Sequence, residues 1–115
     1  MTLQDAFKLD CRTTAAAITG AGKPNFTTPV KRGNLQVEFY RPVKVDLQQP
    51  HSRDECYVVS EGSGKFEMGY EIVPFAEADF LFVAAGVAYR FADFGDSMTC
   101  WVISIARKMV SVTAK

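Results

Sequence analysis

The chain has 115 residues, enough for one domain around one core and too few for two. Thirteen basic residues balance thirteen acidic ones, which excludes the electrostatic footprint of a nucleic-acid binder or an anionic-membrane binder. The apolar share, 48%, is ordinary for a globular chain, and nine Phe and four Tyr suit the lining of a barrel.

Cys11, Cys56 and Cys100 are odd in number, widely spaced and without a Cys-x-x-Cys pair. They are expected as free, mostly buried thiols in a reducing cytoplasm. The longest apolar run near the N-terminus is Ala15-Ala16-Ala17-Ile18, with acidic Asp5 and Asp10 before it. That matches neither a signal peptide nor a membrane span.

In chain order, residues 1–8 predict a short helical turn, capped by Thr2, with Leu3, Ala6 and Phe7 on one face. Residues 12–18 predict a short strand, and Gly20-Ala21-Gly22-Lys23-Pro24 a loop. Residues 25–33 read as extended and end at Gly33. Residues 34–41 alternate, with Leu35, Val37 and Phe39 on one face and polar residues on the other, the pattern of a half-buried strand. Pro42 ends it, residues 43–46 extend the edge, and Pro50 leads into a loop.

A strand is expected up to the turn Gly62-Ser63-Gly64. Residues 65–68 and 70–73 flank Gly69 as a hairpin. Residues 74–79 turn, 80–83 form an apolar strand, and Ala84-Ala85-Gly86 break it. Val87, Tyr89 and Phe91 alternate in a further strand, and Phe94-Gly95-Asp96 turn the chain. Residues 98–106 form a last long strand with Thr99, Trp101, Ile103 and Ile105 on one face, and the tail from Arg107 frays. Eight or nine short strands with almost no helix predict an antiparallel sandwich or barrel.

The chemistry concentrates at Gln49-Pro50-His51-Ser52-Arg53-Asp54-Glu55, which holds the only histidine. Period-two alternation puts Gln49, His51, Arg53, Glu55, Tyr57 and Val59 on one face and Cys56, Val58 and Ser60 on the other. Fully extended, His51 and Glu55 would stand about 13 Å apart at the α-carbon. A bend at Ser52-Arg53-Asp54 is needed to bring them together. An imidazole and a carboxylate converging from a loop and the next strand suit a metal site or an acid/base site.

The spacing resembles the cupin family. Its first motif has two histidines one apart, a glutamate four after the second, and a glycine seven further on. Gln49 stands at the first histidine, His51 at the second, Glu55 at the glutamate and Gly62 at the glycine. Residues 78–91 match the second motif without a gap. Ala78 replaces its glycine, Ala84 its proline and Tyr89 its histidine, and Asp93 sits where the family often has Asn.

The resemblance covers residues 35–106 and implies an all-β antiparallel jelly-roll barrel, the double-stranded β-helix. Residues 1–33 then form an N-terminal arm with early strands, all within one domain of 1–115. It implies a small-molecule ligand, a homodimer and a site of Gln49, His51, Glu55 and Tyr89. With one histidine, a two-His-one-carboxylate iron centre cannot form within a subunit. The four side chains are the expected ligands of a weak divalent-metal site for Zn, Mn, Fe or Ni, with Tyr89 as phenolate. Two alternatives stand beside it. One is a metal-free acid/base enzyme, isomerase- or epimerase-like, with His51 oriented by Glu55 as base and Tyr89 as acid. The other is a non-catalytic ligand sensor. Tyr57, Phe82 and Phe91 are expected as core or pocket wall, and Arg41 and Arg90 as candidate partners of a carboxylate ligand.

Overall fold

Eight strands and one short helix make up the residues described in a computed structural model, which are 5–18, 25–46 and 50–106. Helix α1 (Cys11–Ala15) comes first. The strands follow as β1 (Phe26–Arg32), β2 (Leu35–Tyr40), β3 (Arg53–Glu61), β4 (Gly64–Met68), β5 (Glu71–Phe75), β6 (Phe80–Val83), β7 (Tyr89–Ala92) and β8 (Thr99–Ala106). All pairs are antiparallel. One sheet runs β1-β2-β8-β3-β6, the other β5-β4-β7. The chain passes back and forth between the sheets, and the result is the jelly-roll barrel.

The two prolines within strands sit where a missing N–H does no harm. Pro29 lies at the register shift of edge strand β1, between Thr27 and Val30, and Pro74 lies on edge strand β5. The β4–β5 hairpin turns at Gly69-Tyr70, with Gly69 at φ 56° in the first central position, as a type II′ turn requires. Gly62 and Gly64 permit close approach. A Cβ on Gly62 would meet Met98 Cβ at 2.8 Å, and one on Gly64 would meet Ala92 O at 2.6 Å.

The core lies between the sheets. Tyr57, Val59, Phe66, Phe75, Phe91, Met98, Cys100 and Val102 are all buried there. Register identifies the inner face of the large sheet. Partners across an antiparallel ladder share a face, so Gln36, Ser104, Glu55 and Val83 form one inner row. Glu38, Val102, Tyr57 and Leu81 form the next. Tyr40, Cys100 and Val59 form a third.

The opposite face carries Phe39, Trp101, Val58 and Phe80 in one row, and Val37, Ile103, Cys56 and Phe82 in another. Phe39 and Trp101 meet edge to face at 4.7 Å. Strands β2 and β8 therefore turn their more apolar face outward and their mixed face into the barrel.

The N-terminal segment differs from expectation. Residues 12–18 do not form a strand, since residues 11–15 are α1. Asp10 caps the helix, its Oδ1 accepting the Thr13 N–H at 2.8 Å, and Ala15 follows as a good helix former. Capping and alanine outweigh the β-branched pair Thr13-Thr14. The helical turn expected at residues 1–8 is absent from residues 5–8, and Thr2 and Leu3 lie outside the described residues. Residues 43–46 do not extend an edge strand either. They make isolated bridges from Val43 to Val45 and Ser97, with Lys44 at φ 66°. The cysteines are free thiols, but Cys11 is exposed and only Cys100 is buried. No helix among the described residues is long and apolar enough to cross a membrane.

Candidate functional site

Strand β3 keeps its alternation from Arg53 to Val59, so Glu55 and Tyr57 point into the barrel and Cys56 points away. The bend falls at Ser52, immediately before the strand. It brings His51 Nε2 to 3.8 Å from Glu55 Oε1, far closer than an extended chain allows.

Two hydrogen bonds fix this segment against the turn that precedes β7. Gly86 N donates to His51 O at 2.7 Å, and Ala85 N donates to Asp54 Oδ1 at 2.8 Å. The turn then delivers Tyr89 beside His51 and Glu55. Its ring centroid lies 5.9 Å from that of His51. The two sequence segments thus meet inside the barrel.

Glu55 Oε1 is the centre of the cluster. It accepts the Tyr57 hydroxyl at 2.6 Å and the Tyr89 hydroxyl at 3.0 Å, with Glu55 only 5% exposed. Burial, reinforced by the Glu55 charge, pushes the Tyr57 phenol far above its ordinary range. Burial does the same to Tyr89, opposed by the Tyr57 hydroxyl and reinforced by Glu55. Both phenols therefore keep their protons and act as donors. His51 Nε2 is sealed from solvent and has no hydrogen-bond partner among the described residues.

Near this centre, the Arg53 guanidinium bonds to neutral oxygens. Its Nε donates to Ser104 Oγ at 2.9 Å and its Nη2 to Asn34 O at 2.8 Å. Arg90, expected as a candidate for a carboxylate ligand, pairs instead with Glu67 at 3.2 Å on the exposed side of β7. Asp46, 2% exposed, ties the loop before His51 to β7. It accepts the Tyr40 hydroxyl at 2.6 Å and the Phe91 N–H at 2.9 Å.

Of the four expected site residues, His51, Glu55 and Tyr89 converge, and Gln49 lies outside the described residues. Two members of the cluster were not expected. Tyr57 was assigned to the pocket wall, although its place two residues after Glu55 already put it on the same face. Glu38 was assigned to the polar side of a half-buried strand. Nothing in β2 alone shows that this side faces the barrel, because only its pairing with Val102 of β8 does so.

Eight antiparallel strands in two facing sheets, with this cluster between them, make up the cupin fold. The chain belongs to the same family as the uncharacterized protein SCO3923 of Streptomyces coelicolor. The two are 30% identical over 101 residues, 85% of this chain and 92% of that protein. No family model matches the sequence. Among solved structures, protein NMB1881 from Neisseria meningitidis is similar with a TM-score of 0.67 at 16% identity, over 86% of this chain and 99% of that one. A cupin-2 domain protein from Shewanella frigidimarina is similar with a TM-score of 0.66 at 11% identity, over 84% and 93%. At these identities the likeness speaks for the fold alone.

A metal, expected from the family resemblance, fits the described residues only in part. His51 Nε2 is a ready ligand, but Glu55 Oε1 already holds two hydroxyls, and Tyr89 would have to give up the proton it donates there. Among the described residues no group of three His, Cys, Asp or Glu side chains is placed to hold an ion.

Proposed function

We propose that the chain binds a small organic molecule inside the barrel, against His51, Glu55, Tyr57 and Tyr89. One observation carries this reading: His51 Nε2 is sealed from solvent without a hydrogen-bond partner among the described residues. A buried polar atom left so costs about 1–3 kcal/mol, and such atoms are rare in folded proteins. A ligand atom beside Nε2 removes that cost, and the Tyr89 ring beside His51 supplies apolar contact.

The chain's single histidine makes the test direct. Tag-free protein shows one histidine ring signal, which a library of small metabolites is expected to shift. The His51→Phe variant should lose at least about tenfold in affinity for whatever binds. The variant also removes the unpartnered Nε2, so without ligand it should be at least as stable as the parent, by up to about 1–3 kcal/mol. Equal affinity in the variant overturns the reading.

A second reading, acid/base catalysis without a metal, is favoured by a shared neighbour. Glu55 Oε1 lies 3.8 Å from His51 Nε2 and 3.0 Å from the Tyr89 hydroxyl, so one substrate can reach both groups. His51 would take a proton and Tyr89 would give one. Loss of turnover in both His51→Phe and Tyr89→Phe, with binding retained in Tyr89→Phe, separates this from binding alone. A weak divalent metal on His51 and Glu55, completed by Gln49, is a variant of the binding reading. Metal analysis after soaking tag-free protein in Zn, Mn, Fe or Ni tests it.

A further inference from the structure

The hydrogen-bonding groups of the site are unevenly spent. Both phenol protons go to Glu55. The Arg53 guanidinium is turned to Ser104 and to the Asn34 carbonyl. The Gln36 amide donates to Glu38 Oε2 at 2.9 Å. Apart from the Arg53 guanidinium, the atoms of the cluster with no hydrogen bond among the described residues are acceptors: Glu38 Oε1, Glu55 Oε2 and, in the neutral imidazole, His51 Nε2.

Glu38 belongs to this site by register. It lies on the inner face of β2, level with Tyr57 and one row from Glu55, with β8 between them. Strands β2 and β3 therefore stand about 10 Å apart, a span that two glutamate side chains narrow to the size of a small molecule. Ser104 fills the intervening row with the smallest side chain on it, beside Gln36 and Glu55. Buried Asp46 adds a third carboxylate behind Tyr40.

We propose that the ligand is a small protonated amine, and that Glu38 is the residue that selects for its positive charge. The inference rests on the reading of the site given above. An ammonium group donates to each of the remaining acceptors and offsets carboxylates held in a poorly solvated cavity. The Tyr89 ring, which lies beside His51, adds cation–π attraction. A carboxylate or phosphate would meet one cation, Arg53, already bonded to Ser104 and Asn34, against the carboxylates of Glu38, Glu55 and Asp46. The ring positions and the selecting residue thus point the same way. Glu38 itself is half-buried, and burial together with the Glu55 charge raises its pKa. A bound cation would reverse that effect.

Three probes matched in size separate the ligand classes: propylammonium, propane-1,2-diol and propionate, each titrated at millimolar concentration into tag-free protein. The readout is the His51 ring signal. Propylammonium is expected to shift it, with the other two at least about tenfold weaker, and Glu38→Gln should weaken propylammonium by at least about tenfold. A diol as strong as the ammonium, or propionate as strong, overturns the inference. So does an unchanged propylammonium affinity in Glu38→Gln, or no response to propylammonium at all. The ranking of probes on the parent protein stands without the variant, should that variant fail to fold. Binding of some other metabolite at His51 leaves the general reading intact while the charge selection fails, so the two can fail separately.

Discussion

The Tyr89 hydroxyl donates to Glu55 Oε1 at 3.0 Å across 34 positions of sequence, joining β7 of the small sheet to β3 of the large one. The same oxygen holds Tyr57 from within its own strand at 2.6 Å. The bond between the sheets is therefore also the centre of the cluster, and the site and the contact between the two sheets share one carboxylate.

Tyr57→Phe removes the shorter of these bonds and leaves a buried carboxylate with less support. It should destabilise the fold by about 1–3 kcal/mol in a denaturant titration. Tyr89→Phe should act in the same direction with a smaller effect. The double variant should depart from the sum of the two, because both donors share an acceptor. A Tyr57→Phe protein as stable as the parent would show that Glu55 draws its support from elsewhere.

Gly64→Ala places a Cβ 2.6 Å from Ala92 O and 2.8 Å from Asp93 O, both backbone atoms that cannot swing aside. The expected cost is about 2–3 kcal/mol. Gly33→Ala serves as the comparison. Gly33 has φ +57° but open space around it, so only the backbone penalty of about 1–2 kcal/mol applies. Thermal denaturation of the two variants should rank them in that order, and the reverse order would refute the close approach at Gly64.

Stability should also carry a signature of Glu38. Burial, aided by Glu55 and opposed by the Gln36 amide, holds its carboxyl above the ordinary value of 4.5. The folded protein then keeps a proton that the unfolded chain releases. The stability this contributes is present in acid and is lost as pH rises from about 4.5 through the raised value. Glu38→Gln lacks that loss, so its stability relative to the parent should improve between about pH 4 and pH 7. Parallel pH profiles for the two proteins would contradict the burial of this carboxyl.

The thiols should react in the order of their exposure. Cys11 is exposed and should be labelled in the native protein. Cys56 is partly covered and its thiol is pushed up, chiefly by burial and then by Asp54. Cys100 is fully buried, and burial with Asp46, Glu55 and Glu38 nearby raises it further. Native protein treated with an aromatic disulfide reagent should release one equivalent quickly, and Cys100 only on unfolding. Rapid labelling of Cys100 would mean that the core opens readily.

Much of the site was legible because a strand alternates with period two. From Arg53 to Val59 that rule put Glu55 and Cys56 on opposite faces, while the family motif implied which face lies inside and paired His51 with Tyr89. The same rule was silent on Glu38 and misleading on emphasis at β8. Thr99, Trp101, Ile103 and Ile105 do share a face, but the core lies on the side of Cys100, Val102 and Ser104. A sheet with apolar residues on both faces carries no local mark of which face meets the other sheet.

Local chemistry was enough for the strands, the turns at Gly62-Ser63-Gly64 and Gly69, and the bend before Glu55, since each follows from conformational preference within a few residues. Which residues surround Glu55 was decided by the pairing of β2 with β8 and of β8 with β3, and by the turn that brings Tyr89 across. Those are contacts between distant segments. Their energy comes from burying both sheets against each other, a cooperative event that no window of the chain contains.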